Sequence, residues 1–220
     1  MREKFETWNE HRADAAKLRY LPRYSYSLNL WNDRIMILIH IAGAMRFLHS
    51  NNIILRDLKT ENVGFDKHGD IKLFDFGLAA ELRDDCKVGI DKYNFSIVGG
   101  TARYMSPEAA YGKPIGKASD VYSFALLVWE KLALEIPFLS MKTQDFIRDV
   151  LEHRCRPRLH FNWPVVVKEM LLLGWATDPD IRPSFEQIGH ALEDLSERGL
   201  IAKNQTHRGR CLPWFCRPIL

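Results

Sequence analysis

The chain has 220 residues, of which 46% are hydrophobic and 27% charged, and its formal net charge at pH 7 is +3. This composition suffices for one sizeable hydrophobic core, and no repeat or low-complexity segment is visible. The longest apolar run, residues 35–45, contains His40 and is too short to span a membrane. No apolar segment follows Met1, so we expect no secretory signal.

The first fifty residues are predicted to form two helices. Residues 2–19 are charged and carry a partial apolar stripe, which predicts one helix, and a loop follows at residues 20–25. From about Leu30 to Ser50, apolar residues recur every three or four positions, which predicts a buried helix. We expect Asn29 or Asn32 to be its N-cap, because asparagine side chains accept hydrogen bonds from free N–H groups at a helix start.

The next fifty residues predict one hairpin and one long loop. Residues 63–66 and 71–74 have the composition of short strands, and Lys67-His68-Gly69 between them has that of a turn. Residues 78–100 contain three glycines and mixed charges, which predicts a long mobile loop. Loops of this length inside a compact domain are usually functional.

Helical patterns dominate the rest of the chain, at about residues 119–134, 142–153, 164–176 and 184–197. The first of them is apolar nearly all round between Asp120 and Glu130, which predicts a central, buried helix. With one short β-hairpin and about six helices, the fold class is predicted to be mainly α.

Polar residues suited to phosphate chemistry flank the predicted hairpin. Residues 55–62 read Leu-Arg-Asp-Leu-Lys-Thr-Glu-Asn, and residues 75–77 read Asp-Phe-Gly. Two carboxylates, an amide and a lysine can hold magnesium and a phosphate donor beside a hydroxyl. The two motifs resemble H-R-D-L-x-x-x-N and D-F-G of eukaryotic protein kinases, and Ser106-Pro107-Glu108 resembles A-P-E.

The resemblance implies roles for four side chains. Asp57 matches the catalytic base that accepts the proton of the substrate hydroxyl, and Lys59 matches the lysine that faces the γ-phosphate. Asn62 and Asp75 match the magnesium-binding positions, so ATP and Mg²⁺ are the implied cofactors, bound by Lys59, Asn62 and Asp75. Each residue alone is more typical of a capped turn or a surface charge, but their common register favours the kinase interpretation.

Further matches concern the activation loop and the substrate. Arg56 resembles the arginine that binds an activation-loop phosphate in many kinases, with Ser96 or Tyr93 as the candidate acceptor. An ordinary pairing of Arg56 with a carboxylate is the open alternative. Thr101 matches the threonine that bridges the catalytic aspartate and lysine in serine/threonine kinases, so with Lys59 it favours serine and threonine substrates.

Five matched positions are expected to support the fold rather than the chemistry: Phe76, Gly77, Glu108, Asp120 and Arg182. Glu108 and Arg182 correspond to a buried ion pair of the family, and Asp120 to the aspartate that holds the backbone of the catalytic loop. Leu55 replaces the histidine of the motif. We expect Leu55 to pack on Phe76 and to order the loop more weakly, because one hydrogen bond is lost.

The resemblance covers residues 25–197 and implies the large lobe of a protein kinase, with residues 1–24 as a helical segment after a small lobe. Residues 104–107 and 129–130 are nearest to the tyrosine-kinase-like serine/threonine kinases. The small lobe itself is expected to be absent. The only glycine before Gly64 is Gly43, inside a predicted helix, so a glycine-rich phosphate loop has no place there.

Two functions are consistent with these observations. The first is a serine/threonine kinase that transfers the γ-phosphoryl group of ATP to a protein hydroxyl and is poorly active as an isolated chain. The alternative is a kinase-like binding or regulatory module, a pseudokinase or gene fragment, without catalysis. Expected partners are a protein substrate and a regulatory protein, without a specific nucleic acid or a membrane span. A cytoplasmic location is expected, with a nuclear one as the alternative.

Residues 198–220 form a basic extension with five Lys/Arg and no acidic residue, which we expect to be poorly ordered. The four cysteines, at positions 86, 155, 211 and 216, form no C-x-x-C pair. We therefore expect reduced thiols rather than a metal site or a disulfide framework.

Overall fold

A computed structural model describes residues 25–95 and 99–201 of the chain. The predicted helix at residues 2–19, the candidate acceptor Ser96 and most of the basic extension lie outside the described residues.

Helix α1, Ser25–Ser50, is the first described element. It begins before the apolar repeat does, so Asn29 and Asn32 lie inside the helix and the N-cap prediction is wrong. Asparagine is only mildly unfavourable inside a helix, so neither residue ends it. The repeat itself faces the core as predicted, and its buried residues are Ile35, Leu38, Ile41, Ala42 and Met45.

The later helices surround one central helix. They are α2, Pro107–Ala110; α3, Lys117–Ala133; α4, Thr143–Asp145; α5, Val165–Gly174; and α6, Phe185–Ile201. A π-helical segment, Phe146–Glu152, continues α4. The prediction of a buried helix is confirmed, because every residue from Ser119 to Trp129 in α3 is buried.

Helix α1 packs along α6, and α3 packs against α5 and α1, so that one hydrophobic core joins them. No helix in the described ranges is long and apolar enough to cross a lipid bilayer.

Within the described ranges, six short strands form three antiparallel pairs. They are β1, Ile53–Ile54; β2, Val63–Phe65; β3, Ile71–Leu73; β4, Ala80–Glu81; β5, Lys87–Gly89; and β6, Lys92–Tyr93. The predicted hairpin is confirmed as β2–β3, with Val63 opposite Leu73. The pairs β1–β4 and β5–β6 were not predicted, because strands of two or three residues are too short to show an alternating pattern. The fold is mainly helical, and all three pairs lie between α1 and α2 in the chain.

Candidate active site

The backbone of the loop between β1 and β2 is hydrogen-bonded to Asp120, in the first turn of α3. Asp120 Oδ2 accepts a hydrogen bond from Leu55 N, and Oδ1 accepts one from Arg56 N, both at 2.8 Å. Arg56 has a φ of 68°, a left-handed conformation that is costly for a residue with a side chain. The two bonds offset that cost and fix the direction in which the chain enters Asp57.

Two leucines anchor the same loop in the core. Leu55 and Leu58 are completely buried, while Asp57 between them keeps 8% of its surface exposed. Phe76 is 48% exposed and lines a shallow depression of about 340 Å³ beside β1 and β4. The packing of Leu55 on Phe76 stays a prediction.

The carboxylate of Asp57 accepts hydrogen bonds from three donors. Lys59 Nζ lies 2.6 Å from Oδ2, Thr101 N lies 2.8 Å from Oδ1, and Asn62 Nδ2 lies 3.3 Å from Oδ2. Lys59 Nζ also donates to Thr101 Oγ1 at 2.8 Å. Four of the residues that the motifs singled out therefore meet in one hydrogen-bonded group, although Thr101 is 44 positions from Asp57.

These donors determine the charge state of Asp57. Burial by itself would raise the pKa of this carboxyl, but the hydrogen bonds from Lys59 and Thr101 outweigh burial and hold the pKa below its ordinary value. Asp57 therefore stays ionised at neutral pH. Its contribution to stability is present above its unfolded-state pKa and is lost as the pH falls through the lowered pKa.

The β2–β3 hairpin joins Asn62 of this group to the residue before Asp75. Phe74 N donates to Asn62 O at 2.8 Å, so the end of β3 is tied to the residue before β2. Asp75 follows with a φ of 58° and is exposed. In the described part of the chain, its carboxylate accepts one hydrogen bond, from Gly77 N at 3.3 Å, and none from the group around Asp57.

The oxygen atoms left without partners suit a magnesium ion. Asn62 Nδ2 donates to Asp57 O at 2.9 Å, and within the described ranges the amide oxygen of Asn62 has no hydrogen bond. That oxygen and the exposed carboxylate of Asp75 are hard ligands of the kind Mg²⁺ takes, and Mg²⁺ commonly uses only one or two carboxylates with phosphates and waters. The described residues contain no cluster of three or more His, Cys, Asp or Glu that could hold a metal without a phosphate ligand.

Arg56 contacts two parts of the long loop. Its Nη1 donates to Leu78 O at 3.4 Å, and its Cζ lies 4.7 Å from the centre of the Phe95 ring. Burial lowers the pKa of its guanidinium, and the charge of Asp120 opposes that effect. Tyr93 is only 8% exposed and pairs with Ile115 through backbone hydrogen bonds, so the structure argues against it as a phosphate acceptor.

Glu108 and Arg182 form a bidentate ion pair beneath the site. Arg182 Nη1 lies 2.6 Å from Glu108 Oε1, and Nη2 lies 2.9 Å from Oε2. The side chain of Arg182 is completely buried and that of Glu108 is 11% exposed. The pair joins α2, which follows the Thr101 segment, to the residues that precede α6.

Three contacts of the site had no signal in the sequence. His49 Nε2 lies 2.9 Å from Asp120 Oδ2 across 71 positions, Phe95 lies against Arg56, and Tyr104 hydrogen-bonds through its hydroxyl to Glu130. Each joins residues that are distant in the chain and belong to no shared motif. A histidine in the last turn of a helix gives no indication of the residue that it contacts.

Gly100 lies where the Thr101 segment approaches Arg56. Its φ is 128°, and a Cβ there would lie 3.0 Å from Arg56 O and 3.2 Å from Met105 Cε. We expect Gly100→Ala to lower the free energy of unfolding by about 1–3 kcal/mol, because alanine is strained in this conformation. Urea-induced unfolding measures the change.

Gly189→Ala is the matched control, because Gly189 lies in α6 and a Cβ there has no atom within 4 Å. This change should stabilise the protein by about 0.5–1 kcal/mol. Equal stability of Gly100→Ala and the unmodified chain would contradict the strain argument.

Comparisons with known proteins agree with this arrangement. The family model described as "Protein tyrosine and serine/threonine kinase" matches residues 15–192. Serine/threonine-protein kinase STY17 of Arabidopsis thaliana is 32% identical over 161 residues, which cover 73% of this chain and 27% of that protein.

Two further relatives come from other organisms. Probable serine/threonine-protein kinase drkC of Dictyostelium discoideum is 32% identical over 179 residues, covering 80% of this chain and 23% of that protein. Serine/threonine-protein kinase TNNI3K of Mus musculus is 31% identical over 165 residues, covering 74% of this chain and 19% of that protein. The chain thus spans about a quarter or less of the length of these relatives.

Proposed function

Because this chain belongs to the protein tyrosine and serine/threonine kinase family, we propose that residues 25–197 are the large lobe of a serine/threonine kinase. The proposed reaction is transfer of the γ-phosphoryl group of ATP to a hydroxyl of a protein substrate. The observation that carries the proposal is the Asp57 carboxylate, which accepts hydrogen bonds from Lys59, Thr101 and Asn62.

Asp57 is the proposed catalytic base. Its three hydrogen bonds keep the carboxylate ionised and fix its orientation. The O–H of a substrate hydroxyl can therefore donate a hydrogen bond to the carboxylate while its oxygen atom faces the phosphorus atom. The lowered pKa makes Asp57 a weak proton acceptor, so orientation of the hydroxyl is the larger part of its contribution.

Lys59 supplies positive charge beside the base. Its ammonium lies between Asp57 Oδ2 and Thr101 Oγ1 and is 19% exposed, so it can face an incoming phosphate. A preorganised cation of this kind stabilises the charge that develops on the phosphoryl oxygens. The bridge through Thr101 supports serine and threonine, rather than tyrosine, as the proposed acceptors.

Asn62 and Asp75 are the residues that would hold Mg²⁺, through the amide oxygen and the exposed carboxylate. Bound Mg²⁺ neutralises phosphate charge. The chain contributes to this by orientation: the two hydrogen bonds from Asn62 Nδ2 to Asp57 turn the amide oxygen away from the base. The hydrogen bond from Phe74 N to the backbone oxygen of Asn62 joins the residue before Asp75 to Asn62.

We propose that the 220-residue chain by itself transfers phosphate poorly. Its sequence has no three-glycine motif before the catalytic motif, and neither Lys4 nor Lys17 stands in a V-A-I-K-like run. Loss of one preorganised electrostatic donor commonly costs about 10²–10³ in rate, and kinases turn over at about 1–100 per second. Loss of two such contributions would make transfer hard to detect.

Titration of the purified chain with ATP, in the presence and absence of Mg²⁺, tests the proposed site. We expect binding that requires Mg²⁺ and that Asp75→Asn weakens about tenfold or more, because a contact to a charged group contributes about 1.5–3 kcal/mol. Calorimetry measures binding, and a radiolabel assay on the same samples should detect little transfer beyond that of Asp57→Asn.

Asp70→Asn is the matched control, since Asp70 is an exposed aspartate at the other end of the β2–β3 hairpin. It should bind Mg²⁺ and ATP as the unmodified chain does. Absence of Mg²⁺-dependent binding would favour the alternative of a binding module, and efficient Asp57-dependent transfer would refute the proposed low activity.

A further inference from the structure

An aromatic ring lies against the guanidinium of Arg56 at the end of the long loop. Arg56 Cζ lies 4.7 Å from the centroid of Phe95, within the roughly 6 Å over which a cation and a ring face attract each other. Phe95 is the last described residue before the gap at 96–98. The guanidinium that the sequence predicted to bind a phosphate therefore contacts an aromatic ring.

The ring has a fixed place because it packs on a small hydrophobic cluster. Phe95 is partly buried against this cluster, whose buried members are Ile54, Leu82, Tyr93 and Ile115. Tyr93 and Ile115 are further joined by two backbone hydrogen bonds of 2.9 and 3.0 Å. The loop residues that carry Phe95 are thus attached to the segment just before α3 independently of Arg56.

Arg56 is equally well attached on its side. Its backbone N–H is bound by Asp120, and its Nη1 donates to Leu78 O. Arg56 is partly buried, and this burial lowers the pKa of its guanidinium. Cation–π attraction is about 0.5–1 kcal/mol at exposed sites and about 2 kcal/mol or more where the cation is desolvated.

We propose that Phe95 is a positioning residue, whose ring holds the guanidinium of Arg56 and so docks the long loop on the catalytic loop without a phosphate. Arg56 immediately precedes Asp57, and the loop continues to Thr101, whose N–H donates to Asp57 Oδ1. The contact between ring and guanidinium is therefore a further attachment between the two segments that meet at Asp57, besides the hydrogen bonds Lys59–Thr101 and Arg56–Leu78. Its importance for phosphoryl transfer rests on the proposed function.

The test measures hydrogen exchange at the amide of Thr101 in phosphatase-treated protein without nucleotide. Phe95→Leu keeps an apolar side chain but removes the ring, and we expect exchange at Thr101 to become about 2- to 30-fold faster, as loss of a cation–π contact predicts. Phe95→Tyr keeps the ring and should retain the exchange rate of the unmodified chain.

Phe47→Leu is the matched control, because Phe47 is 67% exposed on α1 and the chemical change is the same. It should leave exchange at Thr101 unchanged. If Phe95→Leu fails to fold, the ring-current shift of the Arg56 Nε–H resonance in the unmodified chain tests the proposal instead. Absence of this shift, or its loss in Phe95→Tyr, would overturn the proposal.

Two exchange results would also overturn it: no acceleration in Phe95→Leu, or equal acceleration in Phe95→Leu and Phe95→Tyr. Faster exchange in Phe95→Leu alone supports it. Because neither ATP nor Mg²⁺ is present, failure of this proposal is distinguishable from failure of the proposed kinase function, which the ATP titration tests.

Discussion

Arg182→Met is expected to lower the free energy of unfolding by about 3–5 kcal/mol, because it leaves Glu108 as a buried carboxylate without its partner. The side chain of Arg182 is completely buried, and both oxygens of Glu108 are bound by it. Arg182 also donates to Ala176 O at 3.0 Å and to Ala118 O at 2.9 Å, so its loss leaves further acceptors unpaired.

Arg46→Met gives the matched control for Arg182→Met. Arg46 pairs with Glu186 at 3.5 Å, and both side chains are about half exposed, at 47% and 58%. Exposed pairs of this kind contribute about 0–1 kcal/mol. Urea-induced unfolding followed by circular dichroism measures both changes, and similar losses for the two variants would show that the Glu108–Arg182 pair is not specially important.

A double variant, Glu108→Leu with Arg182→Met, separates the cost of a carboxylate left without its partner from the cost of losing the ion pair itself. Replacing a buried pair by apolar residues of similar size is often neutral or stabilising, whereas removing one partner is not. We therefore expect the double variant to be more stable than Arg182→Met alone.

Asp120→Ala is the second change with a large expected effect, about 3–5 kcal/mol. Asp120 is 1% exposed and binds the backbone N–H groups of Leu55 and Arg56. Each hydrogen bond to a charged group contributes about 1.5–3 kcal/mol, and the donors left behind are buried. The left-handed backbone of Arg56 would also lose the contacts that offset its strain.

Asp178→Ala is the control for this change. Asp178 is an exposed aspartate that caps the short helix Pro179–Ile181 by accepting from Asp180 N at 3.0 Å, so it also binds backbone N–H. Loss of an exposed cap costs about 0.5–2 kcal/mol. Chemical denaturation measures the free energy of unfolding of both variants. Hydrogen exchange at the amide of Arg56 should become faster only in Asp120→Ala. Unchanged exchange in that variant would contradict the proposed backbone support.

The helices and the hairpin could be predicted because their signals are local. The apolar repeat of α1, the continuous apolar surface of α3 and the turn at residues 67–69 each depend on residues a few positions apart. The start of α1 was misplaced because its first residues carry no repeat and an asparagine does not end a helix. The pairs β1–β4 and β5–β6 were missed because tertiary contacts, not residue preference, form strands of two or three residues.

The candidate site, like the fold, could be predicted from the sequence only in part. The motif residues Asp57, Lys59, Asn62 and Asp75 could be chosen from the sequence because their spacing is that of a known family. The spacing alone did not show that Asn62 donates to Asp57, or that Asp75 has no hydrogen bond to the described group around Asp57. Those details depend on side-chain directions that the hairpin sets.

By itself, the sequence determined the helical fold class, the long helices, the β2–β3 hairpin and the kinase motifs, because each is encoded by neighbouring residues. The tertiary structure alone decided that Phe95 faces Arg56 and that His49 contacts Asp120. The physical reason is distance along the chain: these pairs are 39 and 71 positions apart. Only the packing of α1, α3 and the long loop brings their atoms within reach of one another.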